Sequence, residues 1–337
     1  MALDYYVDSV SGDDGTGTGA SGSPWKTIAK AISALATPVV DTTTIHLIGT
    51  LANPQTYDAA NFVGVQCLGG AAVILKPDIF NISNYAQGID PFGSSGSLNP
   101  TGAKPVLLQG IMSPAISFRQ GSSGVVCLGL ELTSPPTIGF MGSVTLKEAS
   151  SAALFYSRVK EAGTGLAVEA ASTLAFENGH LLNNIMMGAY CLDRGELILS
   201  GDNTFTECGN MGVYLYHNSS LLIKPSDSDP RKYFTSLFET LSPRLKYKAI
   251  WAAGNSVVNI LDLTEVTNMP LMGYLKILNR NLYDSPNYIG IVLEGRSLLL
   301  NAKNISFSDP AINQGLPTVP VSQQIVAAAD EDCTVVE

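Results

Sequence analysis

The chain has 337 residues, of which 14% are charged and 45% are hydrophobic. This balance excludes a disordered chain, which needs low hydrophobicity, and a coiled coil, which needs abundant Glu, Lys and Arg. The formal net charge of −10 argues against a nucleic-acid partner. No apolar run reaches the roughly 18 residues that cross a bilayer, so we expect no membrane insertion.

The first 45 residues are predicted to form a strand, a glycine-rich loop and a helix. Residues 25–36, WKTIAKAISALA, carry the clearest helical pattern in the chain, with apolar residues three and four apart: Trp25, Ile28, Ala29, Ile32 and Leu35. A protein of stacked repeats must cover its open ends. We therefore predict residues 1–45 as an N-terminal unit whose helix caps the first repeat.

A degenerate eleven-residue repeat organises the rest of the chain. Each copy has apolar residues at positions 1 and 3, a small or polar turn at positions 5 to 8 and an apolar trio at positions 9 to 11. Seven copies begin at residues 65, 146, 166, 189, 213, 249 and 290. Steps of about 20 to 24 residues suit a β-solenoid in which each coil holds two or three short strands.

The repeat predicts an all-β protein, a right-handed parallel β-helix of about ten coils with an N-terminal capping helix. The coils are expected over residues 46–315, with insertions at 224–248 and 262–288. Residues 316–337 lose the repeat and are predicted as a C-terminal cap or tail.

No cofactor or metal is expected from the sequence. The three histidines lie far apart without ligand spacing, and the five cysteines include no CxxC pair. Cys67, Cys127 and Cys191 lie in apolar runs and are predicted as small core residues. Asp13 and Asp14 lie in a glycine-rich loop that is similar to a calcium loop, although such loops also occur without metal.

Strand alternation predicts which side chains leave the core. Positions 1 and 3 are expected to point inward, which places Trp251 inside, and positions 2 and 4 outward. One outer flank then gathers side chains that a free surface does not normally carry: Tyr190, Leu192, Tyr214, Tyr216, Ile250, Ile291 and Leu293. We expect another subunit to cover this flank; the alternative is coverage by loops of the same chain.

Residues 5–32, YYVDSVSGDDGTGTGASGSPWKTIAKAI, resemble the N-terminal signature of pectate-lyase-like β-helix proteins. Many bacteriophage tailspikes and tail fibres begin their β-helix in this way. The resemblance implies a homotrimer in the virion that acts outside the cell on a bacterial surface polysaccharide. It also implies that another tail protein holds the N-terminus, because no head-binding domain precedes the signature.

Two groups of residues are candidates for glycan binding. Tyrosine combines an apolar ring with a hydroxyl, which suits stacking on sugars, and Tyr190, Tyr214 and Tyr216 share the outer flank. The insertion 224–248 is basic and aromatic, and its Arg231, Lys232 and Tyr233 are expected to engage an acidic polymer. The alternative for both groups is packing against a neighbouring coil or subunit.

The strongest acid–base candidates are Asp193, Glu196 and His217. Asp193 and His217 occupy the same turn position in successive copies, so they are predicted to be vertical neighbours about 4.8 Å apart, with Glu196 close by. Glycoside hydrolysis needs two carboxyl groups roughly 5 to 9.5 Å apart. The alternative is an ordinary exposed turn, and Glu169, Glu177 and Glu207 are weaker candidates.

Three functional hypotheses follow. The first is a trimeric phage tail protein that binds a surface glycan for host attachment. The second is a polysaccharide depolymerase, a glycoside hydrolase or lyase, on the same scaffold. The third is a structural virion component without a ligand of its own.

Overall fold

The computed structural model describes residues 3–86, 91–92, 102–135, 142–224, 236–240, 247–261, 275–279, 288–302, 305–306, 325–327 and 332–336. In these ranges nearly all regular structure is β-strand, arranged in three all-parallel sheets of eleven, nine and nine strands. We name them sheets I, II and III. The chain is a right-handed parallel β-helix, as predicted.

The bounds of the strands show how short each one is. Sheet I contains Leu3–Val7, Thr43–Leu47, Val73–Pro77, Val125–Leu128, Ser151–Phe155, Thr173–Glu177, Glu196–Ser200, Ser220–Lys224, Val257–Ile260, Leu298–Leu300 and Thr334–Val335. Sheet II contains Gln55–Asp58, Val106–Gln109, Glu131–Thr133, Arg158–Lys160, His180–Leu182, Thr204–Thr206, Ser236–Thr240, Leu275–Asn279 and Ile305–Ser306. Sheet III contains Ala60–Val63, Ile116–Arg119, Gly142–Leu146, Thr164–Glu169, Met187–Leu192, Met211–Tyr216, Tyr247–Ala252, Tyr288–Leu293 and Ile325–Ala327.

The chain visits sheets I, II and III in the same order on every coil. Among the described strands it completes this circuit nine times, between Thr43–Leu47 and Ile325–Ala327. Ser151 pairs with Thr173, Thr173 with Glu196 and Glu196 with Ser220, so these coils hold 22, 23 and 24 residues. The predicted first step of 20 was two residues short, because the copy at residue 146 was aligned two residues late.

The next two coils are longer, and the predicted facing of their side chains was wrong. Val213 pairs with Ile250, and Ile250 pairs with Ile291. Ile250, Ile291 and Leu293 are therefore fully buried core residues, whereas Trp251 faces outward beside Tyr214. The template was one residue out of register after each insertion, and a one-residue slip moves every side chain to the opposite face.

The core is a continuous column of apolar side chains inside the coils. Phe62 and Phe118 stack on successive coils with ring centroids 5.4 Å apart, and both are fully buried. Cys127 and Cys191 are fully buried as predicted, while Cys67 is partly exposed at the edge of the same core. Stacking of core side chains on successive coils makes this column continuous from the first strands to Leu299.

Most of the described turns from sheet III to sheet I use two successive residues of left-handed conformation. Such pairs stack at 120–121, 148–149, 170–171, 193–194, 217–218, 254–255 and 295–296, with φ between 51° and 69°. A buried serine follows all of these pairs but one: Ser122, Ser150, Ser172, Ser219, Ser256 and Ser297. Its hydroxyl closes the turn by donating to a backbone carbonyl three residues earlier, as Ser219 does to Tyr216 at 2.6 Å.

The N-terminal helix is Ile28–Ser33, shorter than the predicted span of 25–36. Ile28 and Ala31 are buried and join the core, and Thr27 caps the first turn by accepting from the Lys30 amide. That this helix covers the end of the solenoid stays a prediction. A second short helix is Ile82–Ala86, and no helix in the described ranges is long and apolar enough to cross a membrane.

Asp14 joins the glycine-rich loop to the start of this helix, and Asp13 organises the loop itself. Asp14 accepts from the backbone amides of Lys26 and Thr27, at 2.8 and 3.0 Å, and from the Thr27 hydroxyl at 2.7 Å. Asp13 accepts from the Gly15 amide at 2.7 Å and from the hydroxyl of Thr16. Both carboxylates therefore organise the loop through hydrogen-bond donors.

The left-handed turns generate a prediction about stability. Ala170 and Ala171 hold φ of 53° and 58°, which costs a residue with a Cβ atom about 1–2 kcal/mol more than glycine. We expect Ala170→Gly and Ala171→Gly each to raise the free energy of unfolding by roughly 0.5–1 kcal/mol, once the greater chain entropy of glycine is subtracted. Denaturant unfolding measures this, and Ala175→Gly in a strand is the control that should destabilise.

Asp14 generates a prediction about pH. Burial alone would raise the pKa of Asp14, but the hydrogen bonds from Thr27 and Lys26 outweigh it and lower the pKa. A lowered pKa contributes stability above the unfolded value near 3.9, and this contribution disappears as pH falls through the folded value. We expect Asp14→Asn to lower stability at pH 7 by about 0.5–1 kcal/mol, because water screens much of the interaction of this partly exposed carboxylate.

Thermal unfolding of both proteins between pH 7 and pH 2 measures the effect. The two curves should converge below the folded pKa of Asp14. A constant difference over the whole range would show that the carboxylate charge does not hold this loop.

Candidate glycan-binding surface

The outer face of sheet III carries a ladder of aromatic side chains. The backbone register aligns Ala167, Tyr190, Tyr214, Trp251 and Val292 in one outward column. A second outward column, two residues further along each strand, aligns Glu169, Leu192 and Tyr216. Parallel strands in register place equivalent side chains about 4.8 Å apart, which is close enough for rings to touch.

Three rings on this face form a continuous strip. Tyr214 lies 4.9 Å from Trp251 and 6.0 Å from Tyr216, measured between ring centroids. The planes of the two tyrosine rings are inclined by only 14°. Tyr214 and Trp251 are partly exposed and Tyr216 is 36% exposed, so the strip offers ring faces at the surface. Flat apolar surfaces edged with hydroxyl groups suit the faces of sugar rings.

Charged groups lie at one end of the strip. The Lys248 ammonium lies 3.4 Å from the centroid of the Trp251 ring, a cation–π contact. The Trp251 indole N–H donates to Glu294 Oε2 at 3.0 Å, which fixes the orientation of the ring. The strip therefore pairs apolar faces with a cation and a hydrogen-bond acceptor.

The other end of the strip carries the predicted acid–base residues. His217 stacks on Tyr216, with ring centroids 3.8 Å apart, and its Nδ1 lies 3.1 Å from Asp193 Oδ1. The two residues are vertical neighbours because they hold the same left-handed position in successive turns. Both side chains are more than half exposed.

Gly254 makes room for this end of the strip. It has φ of 65°, and a Cβ atom there would lie 3.3 Å from the Tyr216 ring and 3.1 Å from the His217 amide nitrogen. The two preceding coils have Asp193 and His217 at this turn position. The coil that follows them has Gly254 there, so no side chain at this position covers the Tyr216 ring.

Glu196 is directed elsewhere. It begins a strand of sheet I, and its Oε2 accepts from the Thr173 hydroxyl at 3.2 Å on the neighbouring strand. The structure thus brings Asp193 and His217 together and gives Glu196 a partner on the other side of the turn. Closeness in sequence was misleading, because the turn separates two faces of the solenoid.

Tyr190 does not offer its ring to a ligand, contrary to the sequence prediction. It is only 3% exposed and is covered by Met186, Met187 and Met211. Its hydroxyl donates to Glu169, which also pairs with Lys147 at 3.1 Å. Burial and the Glu169 carboxylate raise the pKa of Tyr190. Tyr190 is thus the packed base on which Tyr214 rests.

The three weaker carboxylate candidates either bond to neighbouring side chains or are buried. Glu169 pairs with Lys147 and Tyr190, and Glu177 accepts from the Ser200 hydroxyl at 2.8 Å. Glu177 and Glu207 are both buried, and Glu207 lies in a left-handed turn after a strand of sheet II.

Where a carboxyl pKa is displaced within the described ranges, the displacement is downward: Asp8, Asp13, Asp14 and Glu131. The general acid of a glycosidase needs a raised pKa. None of these four carboxyl groups fits that role.

Three of the predicted glycan-binding residues lie outside the part of the chain that the structure describes. Arg231, Lys232 and Tyr233 lie outside the described residues, as does most of the insertion 224–248. Within the described ranges no three His, Cys, Asp or Glu side chains gather so as to hold a metal ion.

Sequence reasoning missed two residues of this surface: Trp251, a ring of the strip, and Glu294, which accepts from its indole N–H. Lys248 belongs to the insertion 224–248 that was predicted to engage an acidic polymer. Trp251 was assigned to the core by a template one residue out of register. A signal was available, because the template placed Trp251 at a core position between Leu215 and Val292, whose side chains are much smaller than an indole. The error came from the strand register and not from the residue type, because a shift of one residue moves a side chain to the opposite face of the strand.

Comparisons with known proteins add the following. No family model matches the chain, and no curated protein matches it. Among solved structures, a pectin methylesterase from Aspergillus niger is 10% identical with a TM-score of 0.36, over 99% of this chain and 89% of that one. A GH136 lacto-N-biosidase from Eubacterium ramulus is 10% identical with a TM-score of 0.42, over 99% and 68%. A rhamnogalacturonan lyase is 12% identical with a TM-score of 0.30, over 89% and 74%.

These likenesses are too remote to carry a function to this chain. The fold rests on the chain's own sheet order and register, which establish a right-handed parallel β-helix.

Proposed function

We propose that this protein binds a bacterial surface polysaccharide through the aromatic strip Tyr216–Tyr214–Trp251. The observation that carries the proposal is the unbroken contact between these three accessible rings on one sheet. Contacts repeated along a stiff rod match a polymer that is itself repetitive, and several copies of the chain would add avidity.

The N-terminal resemblance supports a more specific setting. Residues 5–32 resemble the start of tailspike and tail-fibre β-helices, so we place the protein in a phage tail, made in the host cytoplasm and acting outside the cell. In this setting another tail protein holds the N-terminus, and the glycan is the host receptor. The basic insertion 224–248, with Arg231, Lys232 and Tyr233, is proposed as an additional contact.

Removal of strip rings should weaken glycan binding without unfolding the protein. A panel of bacterial capsular and lipopolysaccharide O-chain polymers, immobilised on a biosensor, provides the probes. We expect Tyr214→Ala and Trp251→Ala each to reduce affinity at least tenfold, which corresponds to about 1.4 kcal/mol. Tyr6→Ala is the matched control, because Tyr6 is a partly exposed aromatic residue that stacks on His46 far from the strip. Unchanged affinity in both strip variants would contradict the proposal.

A second candidate function is cleavage of the bound polymer. It is favoured by one observation, the 3.1 Å contact between His217 and Asp193 beside the Tyr216 ring. A histidine oriented by a carboxylate can transfer protons as a general acid or base. In this alternative the strip holds the polymer and His217 acts on it, with Asp193 as the positioning residue.

The release of reducing or unsaturated sugar ends from a bound polymer tests cleavage. If the dyad is catalytic, His217→Ala and Asp193→Asn should each lower the rate at least a hundredfold. Glu196→Gln should leave it unchanged, because Glu196 bonds to Thr173 on sheet I. If the wild type releases no ends from a polymer that it binds, the protein is an adhesin.

A further inference from the structure

The chain itself places a cation on the aromatic strip. Lys248 and Trp251 lie three residues apart on one strand, Tyr247–Ala252. The Lys248 ammonium lies 3.4 Å from the centroid of the indole ring. At this distance it rests against the face of the ring, where the π-electrons attract positive charge. The Trp251 ring is therefore a cation seat, and a side chain of the same strand fills it.

Carboxylates lie at both ends of the strip. Glu294 accepts from the indole N–H of Trp251 at 3.0 Å. Its charge also reaches Tyr214: burial raises the pKa of Tyr214, and Tyr216 and Glu294 add to the rise. At the other end, the side chain of Asp193 is 66% exposed. Two carboxylates repel an anionic ligand and attract a cationic one.

Small residues separate the Tyr216 ring from the Glu294 carboxylate. The register of sheet III places Tyr216, Ala253 and Glu294 on successive coils, one residue beyond the last paired positions. Tyr216 and Glu294 are therefore two coils, or about 9.6 Å, apart along the rod. Gly254 and Gly295 follow on the second and third of these coils and carry no side chain. A substituent of a sugar that lies on the strip can enter this space and reach Glu294.

We propose that the strip selects polysaccharides whose sugars carry a protonated amino group, as deacetylated amino sugars do. This inference rests on the proposed function and names the class of polymer that the same site takes. A sugar ammonium has the charge of the Lys248 ammonium, so it takes the seat on Trp251 and displaces the lysine. Glu294 then pairs with the bound amine, and the sugar ring packs on Tyr214. The net charge of −10 adds long-range attraction for a cationic polymer.

Lys248→Ala separates amine recognition from recognition of an acidic polymer, because the two predict changes of opposite sign. If a sugar amine takes the seat, removal of the competing ammonium should tighten binding of a glucosamine hexasaccharide about threefold or more. If Lys248 instead pairs with an acidic polymer, the same change should weaken binding of an oligogalacturonate. Isothermal titration calorimetry at physiological ionic strength measures both. A gain in affinity also cannot result from misfolding of the variant.

Glu294→Gln tests the carboxylate, because glutamine still accepts from the Trp251 N–H but carries no charge. It should weaken binding of the glucosamine hexasaccharide about fivefold or more and leave binding of the N-acetylglucosamine hexasaccharide within about twofold. Glu161→Gln is the matched control. Glu161 is an exposed carboxylate on a turn after sheet II, so its removal changes the net charge equally without touching the strip.

Three results would overturn the inference: no binding of the glucosamine hexasaccharide, equal affinity for its N-acetylated form, or weaker amine binding in Lys248→Ala. Equal weakening by Glu294→Gln and Glu161→Gln would also overturn it, because attraction to the net charge alone would then explain the binding. These failures leave the proposed function standing if Tyr214→Ala still removes the binding of another polymer. If no strip variant affects any polymer, the proposed function fails as well.

Discussion

The register between successive coils is the constraint on which the rest of this structure depends. Each strand is three to six residues long in most coils and gains stability only by pairing with the strands above and below it. Pairing in register makes every residue type repeat along the rod. It yields the stacked core, the column of left-handed turns and buried serines, and the two outward columns on sheet III. A change of one residue in register would exchange inside for outside in a whole strand.

The same constraint explains how much the sequence could predict. The repeat, the all-β class and the parallel β-helix followed from the spacing of apolar residues. Asp193 and His217 were correctly expected to be vertical neighbours, because the coils between 173 and 220 differ by only one residue in length. After the insertions the coils grow to 37 and 41 residues, and the template no longer fixed the register. Trp251 was misplaced for that reason.

Other features depend on contacts that no local pattern shows. Tyr190 is buried by methionines on its own strand, on the next strand and beside the turn between sheets II and III, so its outward position did not make it accessible. Glu196 lies three residues from Asp193 yet faces the other side of a turn. The helix pattern over 25–36 was longer than the helix, because Trp25 packs beneath Gly19 and belongs to the loop, with its N–H bonded to Gly17.

The outer face of sheet III thus combines an aromatic strip with polar and charged groups. The central claim is that the strip binds polysaccharide, and tryptophan fluorescence tests it most directly. The chain has two tryptophans, and Trp25 is only 7% exposed, whereas Trp251 lies in the strip. Titration with a polymer that the protein binds should shift the emission, and Trp251→Phe should remove the shift. Binding that leaves the emission of the wild type unchanged would contradict the account.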